Sequence, residues 1–68
     1  MIKNKIAYYR KKKELSQVQL AIRAQVSVAT IQNIENGRSQ GTPTTRFNIA
    51  IALNIPQKDL YYISDEET

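Results

Sequence analysis

The chain contains no cysteine and no histidine. These absences exclude disulfide bonds, a thiolate nucleophile, a Ser-His-Asp triad, and zinc or iron sites built on those ligands. The six carboxylates form no paired acid/base or metal-binding pattern, and the two glycines fit no phosphate-binding motif. We therefore expect a protein that is not an enzyme and that binds no metal and no cofactor.

Long apolar runs are also missing, and the longest covers only residues 49–53. A membrane-spanning helix needs about 20 apolar residues, and the lysine-rich N-terminus is not followed by the apolar segment of a secretory signal. With 68 residues, the chain has room for one small domain. We expect a cytoplasmic protein without a membrane partner, with its domain at residues 1–63 and a frayed acidic tail at residues 64–68.

Positive charge is concentrated in the first two-thirds of the chain. Residues 1–46 carry nine of the ten Lys and Arg against two Glu, a formal charge of +7, whereas residues 47–68 carry −3. A basic region of this kind suits a polyanionic partner, because neutralising phosphates releases condensed counterions. Net charge alone does not distinguish such a site from an ordinary solvated surface.

Apolar residues recur at spacings of three and four, without persistent strand-like alternation, so the sequence predicts an all-α fold of five short helices. Ser16, Ser27 and Thr42 are expected to cap the second, third and fourth helices, and Pro56 opens the fifth. The first four helices are predicted at residues 3–13, 17–24, 28–36 and 43–53. The expected core includes Leu20, Ile31, Ile34, Phe47, Leu53 and Leu60, completed by Tyr61 or Ile63.

Only residues 25–27 separate the second and third helices, so these two must cross steeply around a tight turn, as in a helix-turn-helix. At about 100° per residue, the isoleucines of the third helix share one face and a small, amide-rich face lies opposite. That face carries Ala29, Asn33 and Asn36, with Gln32 at its border. Amide side chains match the donor and acceptor pattern of adenine in the major groove, so this face is predicted to bind DNA.

The residue pattern across both helices resembles the lambdoid phage repressor and Cro family, also called the XRE-like family. It consists of Leu-Ser-Gln-Val-Gln-Leu-Ala at 15–21, Val-Ser at 26–27, and Ile-Gln-Asn-Ile-Glu-Asn-Gly-Arg at 31–38. The resemblance extends over about residues 2–63 and is specific, because small, apolar and polar positions are matched together. It implies a compact five-helix DNA-binding domain, commonly a homodimer on a pseudo-palindromic operator, in a bacterial or phage setting.

The resemblance also implies particular contacts with double-stranded DNA. Base contacts are expected from the third helix, at Val28, Ala29, Gln32 and Asn33. Phosphate contacts are expected at Arg10, Gln17, Ser27, Asn36, Arg38 and Arg46. Arg10 and Glu35 match a family ion pair between the first and third helices, so Arg10 is expected to have a structural role as well.

Two positions depart from the family pattern. Gln25 occupies the turn position that is normally Gly, and Glu14 stands where a Gly often ends the first helix. A non-glycine residue with positive φ is uncommon, so the turn is expected to be either strained or locally different.

The C-terminal residues Tyr61, Tyr62 and Ile63 carry more apolar surface than one short helix can bury. We expect the dimer contact there, in an association that DNA stabilises because the patch is small. Val18 and Ile22 are apolar where charged residues would be expected, and they are either incidental or part of a contact with a second protein.

The leading interpretation is a sequence-specific DNA-binding transcription regulator, of repressor type, acting as a homodimer. The alternative is an antitoxin-type module that uses the same fold to bind a partner protein as well as DNA.

Overall fold

The computed structural model describes residues 2–64, and within them five helices and one two-stranded antiparallel sheet are present. The elements along the chain are β1 (Ile2–Asn4), α1 (Ile6–Lys12), α2 (Gln17–Ala24), α3 (Val28–Glu35), α4 (Pro43–Leu53), α5 (Gln57–Leu60) and β2 (Tyr61–Ile63). The predicted number of helices is confirmed, whereas the prediction of a purely helical fold is wrong. The predicted acidic tail falls, apart from its first residue, outside the described residues.

The sheet joins the two ends of the described chain. β1 pairs with β2 in the register Ile2↔Ile63, Lys3↔Tyr62 and Asn4↔Tyr61. The first helix therefore begins at Ile6 and not at residue 3, and the Asn4 side chain explains this boundary because its Oδ1 accepts a hydrogen bond from the Ile6 N–H at 3.0 Å. Strands of three residues are too short to show an alternating pattern.

The predicted N-terminal caps of three helices are present. Ser16 Oγ accepts from the Gln19 N–H at 3.0 Å, and Gln19 Oε1 accepts from the Ser16 N–H at 2.7 Å, which completes a capping box at α2. Ser27 and Thr42 cap α3 and α4 through their hydroxyl oxygens, which accept from the backbone N–H of Thr30 and Thr45, and Pro43 occupies the first turn of α4. Each cap satisfies a backbone N–H that the helix itself leaves free.

Two helices end in the left-handed conformation without glycine. Gln25 ends α2 with φ 61° and ψ 43°, and Asn54 ends α4 with φ 58° and ψ 41°. Glu14, just after α1, has φ 59°. The turn after α2 therefore keeps the conformation that glycine would adopt, with the strain of a side chain at positive φ. The left-handed Asn54 was not predicted.

The core lies around α2, which packs against both α3 and α4. Its largest fully buried side chains are Ile6, Leu20, Ile31, Ile34, Ile49, Leu53 and Leu60. Phe47 was wrongly assigned to this core, since it is 52% exposed, and it lies about 110° around α4 from the inward face. Tyr61 packs partly against the core, whereas Ile63 is 78% exposed. No helix within residues 2–64 is long and apolar enough to cross a membrane.

Candidate nucleic-acid interface

A three-residue turn, residues 25–27, joins α2 and α3. The Val26 N–H donates to the Ala21 carbonyl at 3.0 Å and closes this turn, and Ser27 then begins α3. Ala21 and Ala24 are buried on the inward face of α2, so small side chains allow the two helices to approach closely. The turn and the packing together set the crossing angle between α2 and α3, and so determine which face of α3 is exposed.

The face of α3 opposite the core is open. Ala29, Gln32 and Asn33, which were predicted to contact bases, are exposed, as is Asn36 just after the helix. Val28 is only partly exposed, because it packs against the core. The exposed face thus carries amide groups and one methyl group, and among its side chains only the amides can donate and accept hydrogen bonds.

Arg10 and Glu35 form the predicted ion pair between α1 and α3. Arg10 donates from Nε to Glu35 Oε2 at 2.7 Å and from Nη2 to Oε1 at 3.2 Å, and its Nη1 donates to the Leu15 carbonyl at 2.8 Å. Arg10 is only 8% exposed. Because the guanidinium group is buried and bonded on three nitrogens, the structure favours its structural role over the predicted phosphate contact.

Glu35 also connects the ion pair to α2 and to the exposed face of α3. Gln17 Nε2 donates to Glu35 Oε1 at 3.0 Å, and Gln32 Nε2 donates to Gln17 Oε1 at 3.4 Å. This network was missed by sequence reasoning, which assigned Gln17 to a phosphate. A signal was available, because Gln17 lies three, four and seven residues before Leu20, Ala21 and Ala24 and therefore on the same inward face.

The segment after α3 folds back on the end of that helix. The Arg38 N–H donates to the Asn33 carbonyl at 2.9 Å and to Asn36 Oδ1 at 3.1 Å. Gly41 has φ +75°, and a Cβ at this position would lie 2.8 Å from Ile34 Cδ1. The positive φ and this close approach both favour glycine where the segment lies against α3. The Arg38 side chain itself remains exposed.

Arg46, another predicted phosphate contact, braces this segment from α4. Its Nη1 donates to the carbonyls of Gly41 at 2.8 Å and Gln40 at 3.3 Å, and its own carbonyl accepts from the Tyr61 hydroxyl at 2.9 Å. Burial raises the pKa of Tyr61 from 10.0 to about 12, and the nearby Arg46 charge lowers it by a smaller amount. Arg46 and Tyr61 thus connect β2 to the segment that follows α3.

The three predicted dimer residues differ in their surroundings. Tyr61 is partly buried and bonded to Arg46, whereas Tyr62 is 46% and Ile63 78% exposed. Beside them lies a mainly apolar cavity of about 280 Å³, to which Ile2 also contributes. Val18 and Ile22 on α2 are 54% and 71% exposed, so they are available at the surface.

The geometry thus combines a turn-linked helix pair, an exposed amide face and a basic chain. Within residues 2–64 no group of three or more His, Cys, Asp or Glu is placed to hold a metal ion. A family model described as helix-turn-helix matches residues 6–60. The chain therefore belongs to the XRE family of helix-turn-helix proteins, a family of DNA-binding transcription regulators. No curated protein matches the chain significantly.

Proposed function

We propose that the chain is a sequence-specific transcription regulator of repressor type, in which α2 and α3 form the helix-turn-helix and α3 enters the major groove. The exposed amide face of α3 is the observation that carries this proposal. A helix fits the major groove of B-DNA, where each base pair presents a distinct pattern of donors and acceptors.

Gln32 and Asn33 are the proposed base readers. A Gln or Asn amide can pair with adenine N6 and N7, and such a bidentate contact contributes about 1–3 kcal/mol of discrimination. Ala29 offers a methyl group for contact with thymine, and Val28, partly buried at the start of α3, lies at the edge of this surface. The bond that Gln32 Nε2 donates to Gln17 Oε1 favours one orientation of the Gln32 side chain before DNA binds.

The proposed phosphate contacts surround this face at Ser27, Asn36 and Arg38, and at the backbone N–H of Gln17, whose side chain already bonds Glu35 and Gln32. Ser27 and Gln17 lie at the N-terminal ends of α3 and α2, where backbone N–H groups and the helix dipole favour anions. Arg10 and Arg46 are assigned to the support of the surface, because both guanidinium groups already bond within the protein.

Two copies are proposed to associate through Tyr62 and Ile63, with Tyr61 holding β2 in place. One α3 covers too few base pairs to select a site in a genome, and a two-fold dimer doubles the readout. The exposed apolar surface and the adjacent cavity support this location. The half-sites would lie about 10 base pairs apart, centre to centre.

Selection of duplexes from a random pool tests the proposal. We expect enrichment of a pseudo-palindrome, with cooperative binding to two half-sites that is lost when the exposed Tyr62 and Ile63 are both replaced with Ser. Binding should weaken as salt rises, with a log–log slope of about −0.9 for each phosphate that a Lys or Arg neutralises. A pool that shows no enrichment would contradict sequence-specific binding.

An antitoxin-type function is the second candidate, and the exposure of Val18 and Ile22 favours it. In that case, replacing both residues with Ser should abolish co-purification of a partner protein while leaving DNA affinity unchanged. A wild-type chain that co-purifies with no partner would exclude this function.

A further inference from the structure

A cleft of about 550 Å³ lies beside the C-terminal end of α3. β1 forms one wall, and residues 35–40 form the other. A cleft of this volume is within the range of sites that hold small molecules or part of a larger one. Sequence reasoning did not foresee the cleft, because it placed residue 3 inside a helix.

The cleft carries positive charge on both walls. Lys3 contributes to the β1 wall and Arg38 to the opposite wall, and both residues are exposed. Within residues 2–64, neither has a carboxylate partner in a salt bridge. Glu35 is the one carboxylate among the lining residues, and its charge is balanced by Arg10. The two cations are therefore available to an anionic ligand.

Both walls are held in place by hydrogen bonds. Asn4 Nδ2 donates to the Ile34 carbonyl at 3.0 Å, which ties β1 to the last turn of α3. The opposite wall is fixed where the Arg38 N–H donates to the Asn33 carbonyl and to Asn36 Oδ1. A preformed site of this kind loses little conformational entropy when a ligand binds.

We propose that this cleft receives the sugar-phosphate backbone of DNA, with Lys3 on the N-terminal strand as a phosphate contact opposite Arg38. This inference rests on the proposed function of α3. A DNA strand is favoured over a free anion because one wall of the cleft directly continues the exposed face of α3. The strand bordering the groove that α3 occupies would run past Asn36 and Arg38 and then meet Lys3. B-DNA carries one phosphate per ~3.4 Å of helix axis on each strand, so two neighbouring cations can contact phosphates of the same strand.

The test compares Lys3→Gln with the wild type and with Lys58→Gln, which removes the same charge from exposed α5. Binding to a single-half-site duplex from the selected sequence is measured by fluorescence anisotropy over a range of salt concentrations. A single half-site is used so that association between copies does not contribute. Thermal melting checks that all three proteins are folded.

Loss of one phosphate contact should reduce the log–log salt slope by about 0.9 in Lys3→Gln, with no change in Lys58→Gln. Neutral methylphosphonates are introduced one at a time into the DNA backbone. At one position the substitution should weaken DNA binding by the wild type and leave DNA binding by Lys3→Gln unchanged. That non-additivity identifies the contacted phosphate. Equal slopes for Lys3→Gln and the wild type would overturn the inference, and so would Lys3-dependent binding of inorganic phosphate without any effect on DNA. A wild-type chain that binds no duplex DNA would instead overturn the proposed function itself.

Discussion

The buried ion pair between α1 and α3 allows a quantitative test of how the interface is supported. Glu35→Ala removes an acceptor that bonds Arg10 at 2.7 and 3.2 Å and Gln17 at 3.0 Å. The side chains of Arg10 and Glu35 are 10% and 8% exposed, so the remaining Arg10 charge would stay buried with the Leu15 carbonyl as its acceptor. Leaving a buried charge unpaired costs about 3–5 kcal/mol.

This cost is large for so short a chain. At the usual stability per residue, a 68-residue domain has a free energy of unfolding of only about 3–10 kcal/mol. Urea unfolding followed by circular dichroism should therefore show that Glu35→Ala loses between about a third and all of the wild-type free energy of unfolding. Gln17→Ala is the matched control, since it leaves the ion pair intact and removes only the Gln17 side-chain bonds with Glu35 and Gln32, at a cost of about 1 kcal/mol.

The double variant Arg10→Met, Glu35→Leu separates charge from packing. An apolar pair of similar volume often restores or exceeds the stability of a buried ion pair, so this variant should unfold near the wild-type urea concentration. A loss below about 1 kcal/mol in Glu35→Ala would refute the reasoning, because the pair would then behave as a solvated surface contact.

Local signals made the helix starts predictable, and tertiary contacts decided most of what was missed. The helix starts at Ser16, Ser27 and Thr42 were predictable because each cap is local. The side-chain oxygen accepts a hydrogen bond from the backbone N–H three residues later. The β1–β2 pairing depends instead on contact between segments about sixty residues apart, and its strands are too short to carry a pattern. Phe47 was misassigned because residues 47–53 are apolar at almost every position, so periodicity could not select the inward face.

In the candidate site, too, features set by local sequence were predictable and features set by tertiary contacts were not. Angular spacing along one helix was enough to predict that Ala29, Gln32 and Asn33 share an exposed face. The bonds that Gln17 and Arg46 make within the protein, and the cleft beside β1, arise only when distant segments meet. A charged or amide residue in a DNA-binding pattern can therefore have either a contacting or a supporting role, and burial in the folded protein distinguishes the two.

Three further predictions test the exposed face, the core and the C-terminal strand. Asn33→Ala should weaken binding to the selected duplex by about 1–3 kcal/mol and binding to random DNA very little, measured by competition titration; equal losses on both would remove Asn33 from the base readers. Ile34→Ala, at a fully buried position, should lower the free energy of unfolding by about 2–5 kcal/mol, and a wild-type melting temperature would show that the faces of α3 are reversed. Tyr61→Phe tests the hydroxyl that donates to Arg46. Since the pKa of Tyr61 rises from 10.0 to about 12 on folding, the folded state retains this proton where the unfolded chain has lost it. The stabilisation is therefore complete below pH 10 and is lost as the pH rises to about 12. The measurement is the difference in melting temperature between the wild type and the phenylalanine variant at each pH, because groups that titrate in both proteins, such as the lysines, then cancel. A difference that stays constant across this pH range would contradict the assignment.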